Sequence, residues 1–229
     1  MYLFVKRIMD ICIAGIALLL LFPLWIPIMI ILRMTGEGEV FFRQKRLGYN
    51  NREFLIWKFV TMLNSDPSAG TITAKNDARI LPFGKYLRTT KINELPQLIN
   101  VLTGEMTLVG PRPITREAFD LYPDDLKPLI YRTKAGVTGM GSVVFRNEEE
   151  ILAESERGFR QCYKDEIMPI KGALEVWYQQ NISFVTDMKI IFLTIIAIIK
   201  PDNSLHLKWF KDLPVERRIA LPVEMKKAA

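Results

Sequence analysis

The longest uncharged segment of the chain runs from Ile11 to Leu32, and it constrains the fold more than any other feature. As a straight helix its 22 residues would be about 33 Å long at ~1.5 Å per residue, close to the ~30 Å hydrocarbon layer of a bilayer. A secretory signal peptide is the weaker interpretation, because the segment is long, contains two prolines and precedes no small-x-small cleavage site before Arg33. The segment therefore predicts a helix that lies in a membrane.

Two features of this segment argue against a simple membrane span. Pro23 and Pro27 each remove a helix hydrogen bond and favour a bend. Both flanks are basic, with Lys6 and Arg7 before the segment and Arg33 after it, whereas a spanning helix shows a Lys/Arg bias to one side. The pattern favours a kinked, re-entrant helix that breaks at Pro23 and returns to the same membrane face. A kinked transmembrane helix is the alternative.

The charged and polar residues limit the chemistry that the chain can perform. There are 31 Lys and Arg against 25 Asp and Glu, a net charge of +6 that suits phosphates, nucleotides or anionic lipid. His206 is the single histidine, and Cys12 and Cys162 are far apart, which argues against a disulfide framework, a zinc site or a Ser-His-Asp triad. Acid–base chemistry then falls on carboxylates, Lys and Arg, in a reducing, cytoplasmic setting. No helix-turn-helix or RNA-type aromatic motif supports a nucleic-acid partner.

The rest of the chain reads as short extended pieces followed by helices. Strand-like Val40–Phe42 and Phe54–Trp57 flank a turn-like Gly48–Asn51, which predicts a small β-hairpin. Apolar residues at helical spacing predict a helix over Glu94–Thr103 that Gly104 ends.

Later segments suggest further helices and set the boundaries that we expect. A charged, helix-prone stretch covers Glu148–Asp165, and the apolar Ile190–Ile199 is too short to span a bilayer, so it is a core helix or lies at the interface. We expect a membrane helix over 1–35, a globular domain over 36–200 and a basic tail over 201–229.

The densest group of chemistry-bearing residues lies between Asn76 and Pro113. Asn93 is predicted as the N-cap of the helix, whose free N–H groups suit a phosphate. Upstream cations and Arg112, held between two prolines, suit a diphosphate, and the carboxylates of Glu94 and Glu105 suit Mg²⁺. The ordinary alternative is a capped helix, a rigid turn and solvated charges.

These residues resemble the bacterial sugar transferases, the monotopic phosphoglycosyl transferases that initiate lipid-linked glycan assembly. The core of the resemblance is Asn93–Leu98, Asn100–Leu102, Gly104–Met106 and Leu108–Pro113. The matching residues outside this block are Lys6–Arg7, Asp10, Gln44, Arg46, Gly48, Lys58–Phe59, Thr61–Met62, Asn76–Asp77, Arg79, Gly84, Leu87–Arg88 and Gly136–Gly139. The resemblance extends roughly from Phe4 to Ile199, and it is to the short form of the family.

The resemblance implies a fold and a membrane disposition. The fold would be α+β and mainly α: a re-entrant membrane helix broken at Pro23, and a small α-rich domain with a short β-hairpin and interfacial amphipathic helices. Residues 36–200 would be the catalytic domain on the cytoplasmic face of the bacterial inner membrane. A homo-oligomer and association with downstream glycosyltransferases are left open.

The resemblance also implies an activity and roles for residues. A phospho-sugar would move from a UDP-sugar to polyprenyl (undecaprenyl) phosphate with release of UMP, in a Mg²⁺-dependent, two-step reaction through a carboxylate nucleophile. This would be the first membrane step of exopolysaccharide, O-antigen or glycoconjugate assembly. Asn93 and Glu94 are the expected catalytic residues, with Glu94 also the metal ligand. The expected substrate and phosphate ligands are Arg88, Arg112, Arg79, Lys58 and Asp77.

The sequence departs from the family pattern at its reactive position. The family has Asp-Glu, with Asp as nucleophile, whereas this chain has Asn93, whose amide is a poor nucleophile. Three explanations stay open: activity by another route, with Glu94 as nucleophile or by direct transfer; a natural inactive member that binds substrate or acts as a scaffold; or an introduced Asp→Asn change. Val60, Ala135 and Gly141–Arg146 also depart from the pattern, which leaves the identity of the sugar open.

Overall fold

A computed structural model describes residues 2–63, 77–153, 159–200 and 204–214. The strands are β1 (Phe41–Leu47), β2 (Glu53–Phe59), β3 (Met106–Val109) and β4 (Ala135–Thr138). The longer helices are α1 (Tyr2–Arg33), α2 (Pro82–Thr89), α3 (Gln97–Thr103), α9 (Met168–Gln180) and α10 (Phe184–Ile199). The shorter helices are α4 (Arg116–Phe119), α5 (Lys127–Ile130), α6 (Met140–Val144), α7 (Glu148–Ala153), α8 (Phe159–Cys162) and α11 (Leu205–Trp209).

The helix α1 is one continuous element of 32 residues, and Pro23 and Pro27 both lie inside it. It is the one helix among the described residues that is long and apolar enough to cross a membrane. Large apolar side chains face outward along it, including Leu19 and Leu20 at 78% and 74% exposure. This apolar surface fits a membrane segment, whereas the predicted re-entrant break at Pro23 stays a prediction.

Both ends of α1 pack against the same globular body. Near its start, Arg7 donates hydrogen bonds to the carbonyl oxygens of Val101 (2.5 Å) and Leu102 (3.0 Å) at the C-terminal end of α3. Near its end, Trp25, Ile28 and Leu32 form a hydrophobic cluster with Phe59 of β2 and Leu87 of α2.

The two small sheets have different topologies. The strands β1 and β2 form the predicted antiparallel hairpin, with Phe41 opposite Phe59 and Leu47 opposite Glu53. The strands β3 and β4 pair in parallel, with Met106 opposite Ala135. Both strands of this second sheet contribute to the main core, which α9 and α10 complete. The α+β, mainly helical class is therefore confirmed.

The predicted helix over Glu94–Thr103 is shorter in the structure, and the prediction of Asn93 as its N-cap is wrong. Asn93 lies in a separate 3₁₀ turn, Ile92–Glu94, and α3 begins at Gln97 with Pro96 as the N-cap residue. Proline has no N–H to join the helical ladder. Gly104 ends α3 in a left-handed conformation (φ 87°), as predicted.

The later helices follow the predicted stretches with revised boundaries. Within the predicted stretch Glu148–Asp165, the described residues form α7, α8 and the beginning of a π-helical turn, Tyr163–Ile167. The apolar Ile190–Ile199 is the second part of α10. The start of the segment predicted as a tail also packs on the body, since Phe210 and Leu213 are buried in the main core.

Candidate active site

Glu94 lies at the centre of a cluster of charges drawn from three separate elements. Lys91, the residue before the 3₁₀ turn Ile92–Glu94, has a positive φ of 60°. This left-handed residue separates the turn from α2, and Glu94 is the last residue of the turn. Arg112 donates to Glu94 through both terminal nitrogens, at 2.7 Å to Oε1 and 3.5 Å to Oε2. Lys58 of β2 donates to Oε1 at 3.3 Å. The carboxylate therefore holds two cations that are 36 and 18 residues away in the sequence.

The loop that carries Arg112 is fixed by its backbone. Gly136 of β4 donates from its N–H to the Pro111 carbonyl oxygen at 2.8 Å. The Tyr131 hydroxyl donates to the Arg112 carbonyl oxygen at 2.6 Å. A Cβ added to Gly136 would lie 2.2 Å from the Gly110 nitrogen, so only glycine allows this approach. The predicted stiff loop is present, and it presents the guanidinium towards Glu94.

The electrostatics of the cluster favour an anionic ligand. Burial alone would raise the pKa of Glu94, but the charges of Arg112 and Lys58 outweigh it and hold that pKa well below its usual range. Burial, with the nearby charges of Arg46 and Arg112, lowers the pKa of Lys58 to about 8. Burial and the charge of Arg112 lower the pKa of Arg46 to about 10. Arg46, Lys58, Lys91 and Arg112 all interact with the one carboxylate of Glu94, and this excess of positive charge suits a diphosphate.

Asn93 is buried beside Glu94 in the sequence, at 7% exposure. Its side-chain oxygen Oδ1 is buried and accepts no hydrogen bond from any residue that the structure describes. A buried polar oxygen without a partner is uncommon in proteins, so this oxygen is available to a ligand or cation.

The donor set around Asn93 and Glu94 fits Mg²⁺ but no all-protein metal cage. Within the described residues, no group of three or more His, Cys, Asp or Glu side chains is placed to hold a metal ion. Mg²⁺ is usually held by one or two carboxylates together with substrate phosphates and water. Glu94 supplies one carboxylate and the unpaired Asn93 oxygen a second protein ligand, which is enough for a Mg²⁺ ion whose other ligands are phosphates and water.

A second charged pair lies shortly before α2 in the chain. Arg79 donates to both carboxylate oxygens of Asp77, at 2.9 and 2.6 Å. These bonds hold the pKa of Asp77 at about 2. Arg88 of α2 contacts the Met62 sulfur at 3.5 Å, and its charge also lowers the pKa of Asp77. Asn76, matched to the family above, lies outside the described residues.

The structure therefore places the predicted site residues in two groups. Lys58, Asn93, Glu94 and Arg112 come together around the 3₁₀ turn, while Asp77 and Arg79 bond to each other. Arg88 acts electrostatically on the second group, and the 3₁₀ turn follows α2 directly, since the Lys91 N–H donates to the Arg88 carbonyl oxygen.

Sequence reasoning left two residues out of the site. Arg46 of β1 is held by Gln44, whose Oε1 accepts at 3.1 and 2.5 Å, and its charge acts on Lys58. Glu175 of α9 accepts a long hydrogen bond, 3.4 Å, from the Arg112 N–H. The sequence does contain one indication that Glu175 is buried and functional, because it is the one charged residue in the apolar stretch from Gly172 to Tyr178.

The chain is similar to known proteins over most of its length. The sequence profile of the bacterial sugar transferase family matches residues 1–201. The exopolysaccharide production protein ExoY of Rhizobium meliloti is 32% identical over 209 residues, covering 84% of each chain.

Two longer relatives carry more specific names. The UDP-N-acetylgalactosamine-undecaprenyl-phosphate N-acetylgalactosaminephosphotransferase of Aeromonas hydrophila is 34% identical, covering 86% of this chain and 44% of its own length. The UDP-glucose:undecaprenyl-phosphate glucose-1-phosphate transferase of Klebsiella pneumoniae is 33% identical, covering 83% and 39%. The chain thus spans less than half the length of these two relatives. The profile match over residues 1–201 and the similarity to ExoY over most of both chains place this chain in the bacterial sugar transferase family.

Proposed function

We propose that the chain transfers a phospho-sugar from a UDP-sugar to polyprenyl phosphate, releasing UMP, in exopolysaccharide or related glycan assembly. The observation that carries this proposal is the cluster of Lys58, Arg46 and Arg112 around the single carboxylate of Glu94, in a member of the bacterial sugar transferase family. The two longer relatives are named for UDP-N-acetylgalactosamine or UDP-glucose and for undecaprenyl phosphate, and their names support an active enzyme over an inactive scaffold.

The chemistry is a displacement at the phosphorus atom that bears the sugar. The bond between this phosphorus and the bridging oxygen of UMP breaks, and UMP leaves with the electron pair. An oxygen of the lipid phosphate forms the new bond, giving a sugar linked to the lipid through a diphosphate. Arg112 and Lys58 stabilise the charge that develops on the phosphoryl oxygens, which is the largest catalytic contribution open to this site.

Glu94 is proposed to organise these cations and to hold Mg²⁺ with the Asn93 oxygen. Bound Mg²⁺ supplies further charge neutralisation for the phosphates. Both oxygens of Glu94 accept from Arg112, and Oε1 also accepts from Lys58, so its lone pairs are engaged by cations and the carboxylate is a weak nucleophile. Direct transfer to the lipid phosphate is therefore the favoured route in this chain, and a phospho-sugar covalently bound to Glu94 would contradict it.

A monotopic membrane disposition is also proposed, with the catalytic domain on the cytoplasmic face of the inner membrane. It is supported by the packing of both ends of α1 on one globular body, because the ends of a spanning helix lie on opposite membrane faces. It is supported further by outward apolar side chains on α10, including Phe192, Ile195 and Ile199, which suit an interfacial helix. The site then stands where a soluble nucleotide sugar meets a lipid phosphate.

The test is an assay of UMP release over a panel of UDP-sugars, with undecaprenyl phosphate and Mg²⁺ present. We expect release from at least one UDP-sugar, dependent on the lipid phosphate. Asn93→Asp is compared in parallel, and we expect it to raise turnover at least about tenfold, because a carboxylate opens the covalent route. Failure of both proteins to release UMP from any UDP-sugar would refute the proposed function.

A further inference from the structure

Glu175 is a buried carboxyl that the proposed reaction does not use. It is 1% exposed on α9. Its Oε1 accepts from the Arg112 backbone N–H at 3.4 Å, and its Oε2 has no partner among the residues that the structure describes. A buried carboxyl so poorly satisfied is costly for folding, so its presence behind the Arg112 loop calls for a reason.

The surroundings of Glu175 fix its side chain in place. A Cβ added to Gly141 at the start of α6 would lie 2.6 Å from Oε1, so the carboxyl fills the space that this glycine leaves. Lys171 lies one helical turn earlier on α9, but its ammonium group is paired with Glu148 of α7. Within the described residues, the hydrogen bond to Glu175 therefore comes from the loop that presents Arg112.

We propose that Glu175 is a positioning residue: it accepts a hydrogen bond from the Arg112 N–H and so holds the Arg112 loop with the guanidinium facing the diphosphate of the nucleotide sugar. The inference rests on the proposed function for the identity of that ligand. It adds a role for a residue that touches neither Glu94 nor the reacting atoms.

The charges around Glu175 explain why the neutral form is the useful one. Burial raises the pKa of Glu175 to about 7, while the Arg112 N–H and the charges of Lys171 and Arg112 lower it only in part. The other titratable groups that act on it or share its surroundings are Tyr122, Tyr131, Tyr163 and Glu148. Ionised Glu175 would place a second carboxylate behind Arg112, and the positive charge of Arg112 would then be shared among Glu94, Glu175 and the ligand.

The experiment measures equilibrium binding of UDP-glucose and UDP-N-acetylgalactosamine to the full-length protein in detergent, from below to above pH 7. Their diphosphates carry no proton that titrates near neutral pH. The proteins are the unmodified chain, Glu175→Gln, Glu175→Ala and Glu166→Gln, an exposed carboxyl in the preceding π-helical turn. Lys58, whose pKa is about 8, titrates in every variant. Its effect on affinity therefore cancels in the ratio of affinities between the unmodified chain and Glu175→Gln at each pH.

The expected results differ for each variant. The unmodified chain and Glu166→Gln lose roughly three- to tenfold in affinity as pH rises through about 7. Glu175→Gln, which is neutral and keeps the acceptor oxygen, lacks this loss, so its affinity relative to the unmodified chain rises by the same factor. Glu175→Ala, which loses the acceptor, binds about tenfold more weakly at every pH. Parallel pH profiles for the unmodified chain and Glu175→Gln would overturn the proposal.

A second measurement does not depend on the ligand or on turnover. Infrared spectroscopy detects the carbonyl absorption of a protonated carboxylic acid, which we expect below neutral pH in the unmodified chain and not in Glu175→Gln. No such difference would refute a neutral Glu175, even if neither nucleotide sugar bound. Normal binding with no UMP release from any donor would instead refute the proposed function and leave the positioning role standing.

Discussion

At the scale of single residues, Glu94 accounts for the arrangement of the candidate site. It is 12% exposed at its side chain and accepts from Arg112 and Lys58. Removing one partner of a buried charge cluster leaves the others unpaired, which costs far more than an exposed ion pair contributes. The site is therefore sensitive to the charge at position 94 as well as to its shape.

Glu94→Gln keeps the size of the side chain and removes its charge. We expect kcat/KM for UMP release to fall about 100-fold or more, because Lys58 and Arg112 lose the anion that orients them and Mg²⁺ loses its carboxylate. Glu117→Gln, an exposed residue of α4, is the matched control and should behave as the unmodified chain. Near-normal turnover in Glu94→Gln would rule out the role given to this carboxylate.

Glu175 also predicts how stability depends on pH. Its pKa is about 7 in the folded chain against an ordinary value of 4.5, so folding takes up a proton between these values. The free energy of unfolding therefore falls as pH rises from about 4.5 to about 7, by up to about 3 kcal/mol. Glu175→Gln should lose this decline, as measured by denaturant unfolding at several pH values. A constant difference in stability between the two proteins at all pH values would contradict the prediction.

At the scale of elements, a buried polar network joins α1 to α10 and to the second sheet. Asp187 of α10 is completely buried and accepts from Lys6 of α1 (2.6 Å) and from the Tyr178 hydroxyl (2.8 Å). Asp10 of α1 accepts from the Thr107 hydroxyl on β3 (2.5 Å). The membrane helix is thus fixed to the strand that leads into the Arg112 loop.

Asp187→Asn should weaken this junction, because the amide leaves the buried ammonium group of Lys6 without its closest anion. We expect the free energy of unfolding to fall by about 3 kcal/mol, the usual cost of breaking a buried ion pair. The control is Asp124→Asn, which breaks the exposed Lys127 pair and should leave stability nearly unchanged. Equal thermal stability of the two variants would show that the network is not a structural junction.

The helices and strands also show which parts of the fold the local sequence pattern could predict. Two strand-like segments around the turn-like Gly48–Asn51 predicted the β1–β2 hairpin, and helical spacing predicted the body of α3 with its stop at Gly104. The pattern missed the start of α3, because Pro96, which has no N–H, lies between the 3₁₀ turn Ile92–Glu94 and the α-helix that begins at Gln97.

At the scale of the whole molecule, the position of α1 relative to the globular body decides the topology. Its first turns contact α3 and the second sheet, and its last turns contact β2 and α2. In the proposed monotopic disposition, the body that contacts both ends of α1 lies on one side of the bilayer, and the apolar middle of the helix faces lipid.

Cysteine labelling tests this topology in sealed membrane vesicles. Leu3→Cys and Glu37→Cys, each made after Cys12→Ser and Cys162→Ser, place one thiol at either end of α1, at positions that are both exposed. A membrane-impermeant maleimide should label both positions from the cytoplasmic side only. Labelling of the two positions from opposite sides would instead establish a transmembrane span.

The sequence by itself determined the membrane helix, the hairpin, the balance of charge and the local motifs, because each depends on residues within one or two turns or one strand. Only the tertiary structure decided which charges meet. Lys58, Glu94 and Arg112 converge because β2, the 3₁₀ turn and the loop after β3 pack together, and hydrophobic periodicity does not encode such contacts between distant segments. The same packing placed Glu175 behind Arg112, where burial rather than residue type sets its protonation.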